Sequence, residues 1–221
     1  MKIHREGTNI LVILLAMFAM LNAVAWLFLS PMVIPAVLTG ISVMVYAFVF
    51  NFFRCPKRNY RGERKNMAVS SVDGKVVVIE RVFESEFLHS DAIQVSVFMS
   101  PLNVHANWYP VDGTVAYVKH HKGRFLSAYL PKASLQNERS TIGIECEDGN
   151  RITVRQIAGA MARRIVTYAE KGDTADIDDH LGFIKFGSRV DIFLPLGSEV
   201  LVRMGQVTRG GLTPLARLPQ V

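Results

Sequence analysis

The sequence predicts a mainly β protein, a single barrel-like β-sandwich domain preceded by an N-terminal membrane helical hairpin. Three observations lead there. Residues Asn9 to Phe53 contain no Asp, Glu, Lys, Arg or His. Past Lys65 the chain breaks into short β-rich runs punctuated by Gly, Pro, Asp and Asn, and Val-Asp-Gly recurs ahead of two of those runs.

The charge-free stretch is about twice the roughly 20 residues that cross a bilayer as a helix. Pro31 and Pro35 lack backbone donors and divide it into two spans, about 10–29 and 36–53. Lys2 and Arg5 precede the first span. Arg54, Lys57, Arg58, Arg61, Arg64 and Lys65 follow the second, opposed only by Glu63. Positive charge at both ends predicts a hairpin with both ends in the cytoplasm, which puts the following domain on the cytoplasmic side of the cell (inner) membrane. A cleaved signal peptide ending at Ala23-Val24-Ala25 is the less favoured reading, because a second apolar span begins at once. Whether the second span crosses or only inserts is left open by hydropathy.

The chain carries 25 Lys plus Arg against 19 Asp plus Glu, a net charge of +6. From Asn66 onward the two signs balance at seventeen each, so the whole excess lies in the first 65 residues. That places the basic charge at an anionic lipid surface and argues against nucleic acid as a partner. The expected division is a membrane anchor over 1–53, a basic juxtamembrane segment over 54–65 and a folded domain over 66–221.

Cys55 and Cys146 are the two cysteines, which excludes a disulfide framework and suits a reducing compartment. No Cys/His cluster has metal-ligand spacing, so no metal is expected, and Cys146 reads as a packing residue in a strand. The predicted strands are 75–83, 93–99, 114–119, 124–129, 141–147, 151–157, 164–168, 183–186 and 190–194, with a helical turn over 158–163. Val72-Asp73-Gly74 and Val111-Asp112-Gly113 each supply a tight turn feeding a strand, and as a pair they suggest two related halves. Glu170 to His180, with Asp173, Asp176, Asp178 and Asp179, reads as a solvated acidic turn.

Three segments carry more. They are Ser71-Val72-Asp73-Gly74; Phe98-Met99-Ser100-Pro101-Leu102-Asn103-Val104-His105 continuing to Tyr109-Pro110-Val111-Asp112-Gly113; and Gly182-Phe183-Ile184-Lys185-Phe186-Gly187-Ser188-Arg189-Val190-Asp191. In this order and spacing the chain, from about Val69 to Val202, resembles the phosphatidylserine decarboxylase proenzymes, in particular their short bacterial and archaeal-like branch. FMSPLNVH and FGSRVD together are specific, whereas Gly-Ser alone carries nothing.

The resemblance implies a pyruvoyl-dependent lyase of phospholipid biosynthesis that makes its own prosthetic group. Ser188 would attack the Gly187 carbonyl, the chain would part between Gly187 and Ser188 into a β and an α chain, and Ser188 would become the pyruvoyl group. Its partners would be phosphatidylserine in the membrane and the anionic lipid surface; a homodimer stays open. A weak hydroxyl nucleophile needs an oriented base, and the resemblance offers His105 as the imidazole and Asp73 as the orienting carboxylate. Gly187 suits the strained turn that exposes its carbonyl. His105 is also the candidate proton donor after decarboxylation.

The chain departs from the pattern at Trp108, where many members carry a second histidine. His105 then serves both roles, or His180, His120 or His121 takes one. Leu102, Trp108 and Tyr109 could enter the lipid interface or belong to the core. Two alternatives remain at this point: a decarboxylase of archaetidylserine or another aminophospholipid, and a non-enzymatic membrane-anchored lipoyl-like β module.

Overall fold

A computed structural model describes residues 2–129, 133–160, 164–185 and 187–220. The chain forms two compact units, Met1–Lys57 and Arg58–Val221.

The first unit is a helical hairpin. Helices Arg5–Phe28 and Val33–Phe52 are both long and apolar enough to cross a membrane. Pro31 lies in the connecting turn, and Pro35 falls in the first turn of the second helix, where its missing N–H costs nothing. Between these apolar helices the polar side chains satisfy one another, as hairpins compatible with a membrane require. Asn22 donates to Ser42 Oγ (3.0 Å), Thr39 donates to Asn22 Oδ1 (2.9 Å), and Trp26 donates to Thr39 Oγ1 (3.1 Å). The two ends are tied by antiparallel pairing of Lys2–Ile3 with Arg54–Cys55.

The second unit is built on an eight-stranded antiparallel sheet. Its spatial order is Thr174–Ala175, Gly113–His121, Arg139–Glu145, Arg151–Ala158, Ser188–Pro195, Ser90–Met99, Gly74–Glu84 and Val207–Thr208. The order reads as two halves meeting between the fourth and fifth strands. In each half an Asp-Gly pair opens a long strand, and that strand's glycine pairs with a short outer strand, Ala175 with Gly113 and Thr208 with Gly74. Each long strand has a register shift a few residues in, at Val76/Val78 and at Val115/Tyr117. A side chain on Gly74 would overlap the Phe98 carbonyl and one on Gly113 the Glu145 carbonyl, so glycine is required for the same reason in both halves. The expectation of two related halves thus corresponds to a real repeat in the sheet.

Alternation along the central strands buries Val190, Ile192 and Leu194 against Val95, Val97, Met99, Ile142, Ile144, Ile152 and Val154. Two three-stranded sheets complete the unit: Ile165–Thr167, His180–Ile184 and Ala106–Trp108 in one, and Glu199–Val200, Pro214–Arg217 and Met67–Val69 in the other.

Several expectations need correction. Residues 124–129 do not form a strand; one bridge joins Arg124 to Asn137, and the Asn137 side chain holds both the N–H and the carbonyl of Leu126. The helical turn expected over 158–163 is absent at its start, because Ala158 ends a strand, and 161–163 lie outside the described residues. The strand expected to reach 147 ends at Glu145, and Cys146 sits in the following turn with its N–H on the Asn150 carbonyl (2.8 Å). Burial, then Asp148 and Asp112, push its thiol up to about 12, which leaves it protonated and inert. The acidic turn is not merely solvated: Arg64 bridges Asp112, Asp176 and Asp178.

Candidate active site

After the strand Ser90–Met99 the chain must reverse, and the Asn103 side chain makes the turn by accepting from the Ser100 N–H (2.9 Å) and hydroxyl (2.8 Å). This delivers His105 to the start of the strand Ala106–Trp108, fully buried. Its Nδ1 lies 3.0 Å from the Asn103 carbonyl, which can only accept, so Nδ1 carries the proton and Nε2 presents a lone pair. Nε2 accepts from the Gly187 N–H at 3.4 Å. The Asn107 amide and the Ile184 N–H both donate to the His105 carbonyl, fixing its backbone.

Gly187 has φ +67°, a left-handed conformation open mainly to glycine. The next residue, Ser188, opens the strand Ser188–Pro195, paired with Met99 on one side and Ala158 on the other, and is fully buried. Its hydroxyl donates to the Met99 thioether (3.0 Å), a weak acceptor that leaves the oxygen readily redirected. The structure therefore brings together His105, Gly187 and Ser188.

Asp73 is bound differently. Its carboxylate takes both guanidinium nitrogens of Arg58 (2.5 and 2.9 Å) and the Gly210 N–H (2.9 Å). Arg58 also lies over the Trp108 ring, 4.4 Å from its centroid, and Trp108 packs edge-on to His180 at 4.9 Å. The residue at the usual second-histidine position thus covers a guanidinium held by Asp73. His121 bonds Glu86 Oε2 at 2.7 Å and His120 lies 3.8 Å from Glu138.

Trp108 and Tyr109 belong to the core, at 0% and 4% exposure, which removes them from any lipid contact; Leu102 is 64% exposed. Burial, then Asp173 and Asp179, push the Tyr109 phenol up to about 12, so it stays neutral. Arg58 was legible only as one of a basic run, and nothing in the sequence marked it as a buried partner.

Comparison with known proteins identifies the family. The family profile described as phosphatidylserine decarboxylase matches residues 45–216. The chain belongs to the phosphatidylserine decarboxylase family. A phosphatidylserine decarboxylase proenzyme of Bacteroides thetaiotaomicron is 52% identical over 98% of this chain and 95% of its own length. That of Porphyromonas gingivalis is 52% identical over the full length of both, and that of Cytophaga hutchinsonii is 42% identical over 98% of each. The chain is accordingly an enzyme, a decarboxylase of the lyase class, and not a binding module with a decarboxylase-like sheet.

Proposed function

We propose that this decarboxylase converts phosphatidylserine to phosphatidylethanolamine after cutting itself between Gly187 and Ser188. The observation that carries the reading is the His105 imidazole, its protonated nitrogen on the Asn103 carbonyl and its unprotonated nitrogen on the Gly187 N–H, one residue before a buried serine.

Each step follows from the chain's own atoms. The Ser188 hydroxyl turns from the Met99 sulfur, His105 Nε2 releases the Gly187 N–H and takes the hydroxyl proton, and Oγ bonds to the Gly187 carbonyl carbon while the π pair moves to oxygen. Collapse breaks the Gly187–Ser188 C–N bond, with the proton returned from His105 to the Ser188 nitrogen, leaving an ester. Removal of the Ser188 α-proton then expels the Gly187 carboxylate and leaves dehydroalanine, which takes up water and loses ammonia to become pyruvoyl. Burial of Ser188 keeps water from hydrolysing the ester first.

The residues fit such a group, since Ser188 is the first residue of its β-strand and can become a blocked amino terminus while the pairing from Arg189 onward is kept. The pyruvoyl would supply an electrophilic carbonyl for the substrate amine and an electron sink for the bond lost with carbon dioxide. His105 would return the proton to the substrate's α-carbon. Asp73 acts as a positioning residue through Arg58 and Trp108.

The apolar hairpin would anchor the enzyme in the cell (inner) membrane with its catalytic domain on the cytoplasmic side, where a diacyl substrate need present only its headgroup. Archaetidylserine is the closest competing substrate, because the chemistry touches only serine. The test incubates purified full-length protein with vesicles of either lipid and follows carbon dioxide and the ethanolamine lipid. Turnover of phosphatidylserine supports the reading, and a processed enzyme that turns over only the archaeal lipid overturns the substrate.

A further inference from the structure

Serinolysis puts negative charge on the Gly187 carbonyl oxygen, and a buried oxyanion needs a donor within reach as the charge develops. Two observations locate one. The strands Arg151–Ala158 and Ser188–Pro195 pair with Ile157 opposite Arg189 and Ala158 opposite Ser188. The Ala158 N–H points away from Ser188, to the Glu138 carbonyl at 2.9 Å. N–H groups alternate sides along an antiparallel strand, so this register carried one step past Ser188 sets Gly159 opposite Gly187 with its N–H on that side, although among the described residues the two form no hydrogen bond before the reaction. Independently, a Cβ on Gly159 would overlap the Gly187 carbonyl oxygen and lie 3.1 Å from its carbon. Gly159 is buried, and its glycine character is what lets the scissile carbonyl approach this closely.

We propose that Gly159 is the oxyanion donor of self-cleavage, its N–H holding the Gly187 oxygen as Ser188 Oγ adds to the carbon. This rests on the reading that Gly187-Ser188 is the cleavage site. During the step the C–O bond forms, the carbonyl pair localises on oxygen against the Gly159 N–H, and the hydroxyl proton moves to His105. When the C–N bond breaks the pair returns, and no other reactant is needed.

Two variants test it. Gly159→Ala displaces the carbonyl from the donor, whereas replacing Gly159 by glycolic acid removes the N–H without adding a side chain. Each should slow processing by roughly 100-fold, the usual effect of losing one such donor. The factor should be the same at every pH, because His105 is untouched. Hydroxylamine, which cuts esters, should release no fragment at Gly187, since the block precedes the ester. A folded glycolic acid variant that processes at the unmodified rate overturns the assignment, as does a stalled precursor that hydroxylamine cuts at Gly187. If the unmodified protein itself never parts at Gly187-Ser188, the cleavage reading fails, a result distinct from either.

Discussion

Asp73 and Asp112 occupy equivalent places in the two halves of the sheet. Each precedes the glycine that opens a long strand, and each accepts at Oδ1, 2.9 Å away, from an N–H just past a short outer strand, Gly210 for Asp73 and Ile177 for Asp112. Each also binds an arginine, Arg58 and Arg64 respectively. They differ in burial, 12% against 39% exposure for the carboxylates, and in that Arg58 continues to the ring of Trp108, three residues after His105.

Substitution should therefore separate them. Asp112→Asn removes a half-exposed ion pair and is expected to cost about 1 kcal/mol or less, with normal self-cleavage. Asp73→Asn strands a buried guanidinium and is expected to cost about 3 kcal/mol or more and to slow processing. Urea melts give the first comparison and the ratio of cut to uncut chain on a denaturing gel gives the second. Equal stability losses for the two would remove the distinction.

The position of Arg58 moves the boundary of the folded part. Removing residues 1–57 leaves Arg58 on Asp73 and Arg64 on Asp112, and self-cleavage should persist, with turnover lost mainly on bilayer substrate. Deletion of 1–65 takes both arginines and should give a destabilised, poorly processed chain. Gels and assays with soluble short-chain lipid against vesicles check this; a robust 66–221 fragment that cuts itself would contradict it.

Much of the architecture is legible in sequence because it depends on local pattern. Charge-free runs, alternation along 93–99 and 190–194, and the paired Asp-Gly turns each follow from adjacent residues. What escaped depends on distant ones. The strands of the C-terminal segment exist only through partners, Val207–Thr208 on Gly74–Lys75 and Pro214–Arg217 on Met67–Val69, and carry little alternation of their own. Phe98-Met99, His105 and Gly187-Ser188 were readable as motifs, whereas Arg58 looked like lipid-facing charge and Gly159 like an ordinary glycine. Their roles arise from a guanidinium reaching Asp73 and from a carbonyl approaching across two strands.

A buried ionic cluster sets the acid limit of the fold. Glu86 bonds Arg155, Arg139 and His121. Burial raises its carboxyl, but the charges of Arg155, His121 and Arg139 outweigh this and hold it below its ordinary value. Burial also lowers His121, against the pull of Glu86. Both groups bind protons more readily unfolded, so their contribution is present at neutral pH and is lost on acidification, beginning near the ordinary histidine value of 6.5 and continuing below the ordinary carboxyl value of 4.5. Thermal melts across this range should show the decline, and His121→Gln should delay its onset to the carboxylate range. An unchanged onset would mean that another group controls it.

Gly187 tests whether backbone conformation matters beyond space. Nothing lies within 4 Å of a Cβ placed there, yet φ is +67°. Gly187→Ala should fit sterically but cost about 1 to 2 kcal/mol through the left-handed backbone, and processing should slow as the carbonyl turns from its position. Cleavage at the unmodified rate, with an unshifted melt, would show that the left-handed turn is not required.

The central claim is that Ser188 cuts the chain and becomes its own prosthetic group, and intact mass of the purified full-length protein measures it most directly. The account predicts two polypeptides, one ending at Gly187 and one beginning with pyruvoyl in place of Ser188, whose masses sum to the precursor plus water minus ammonia. Ser188→Ala should remain one chain. A catalytically active preparation consisting wholly of the uncut 221-residue chain would contradict the account.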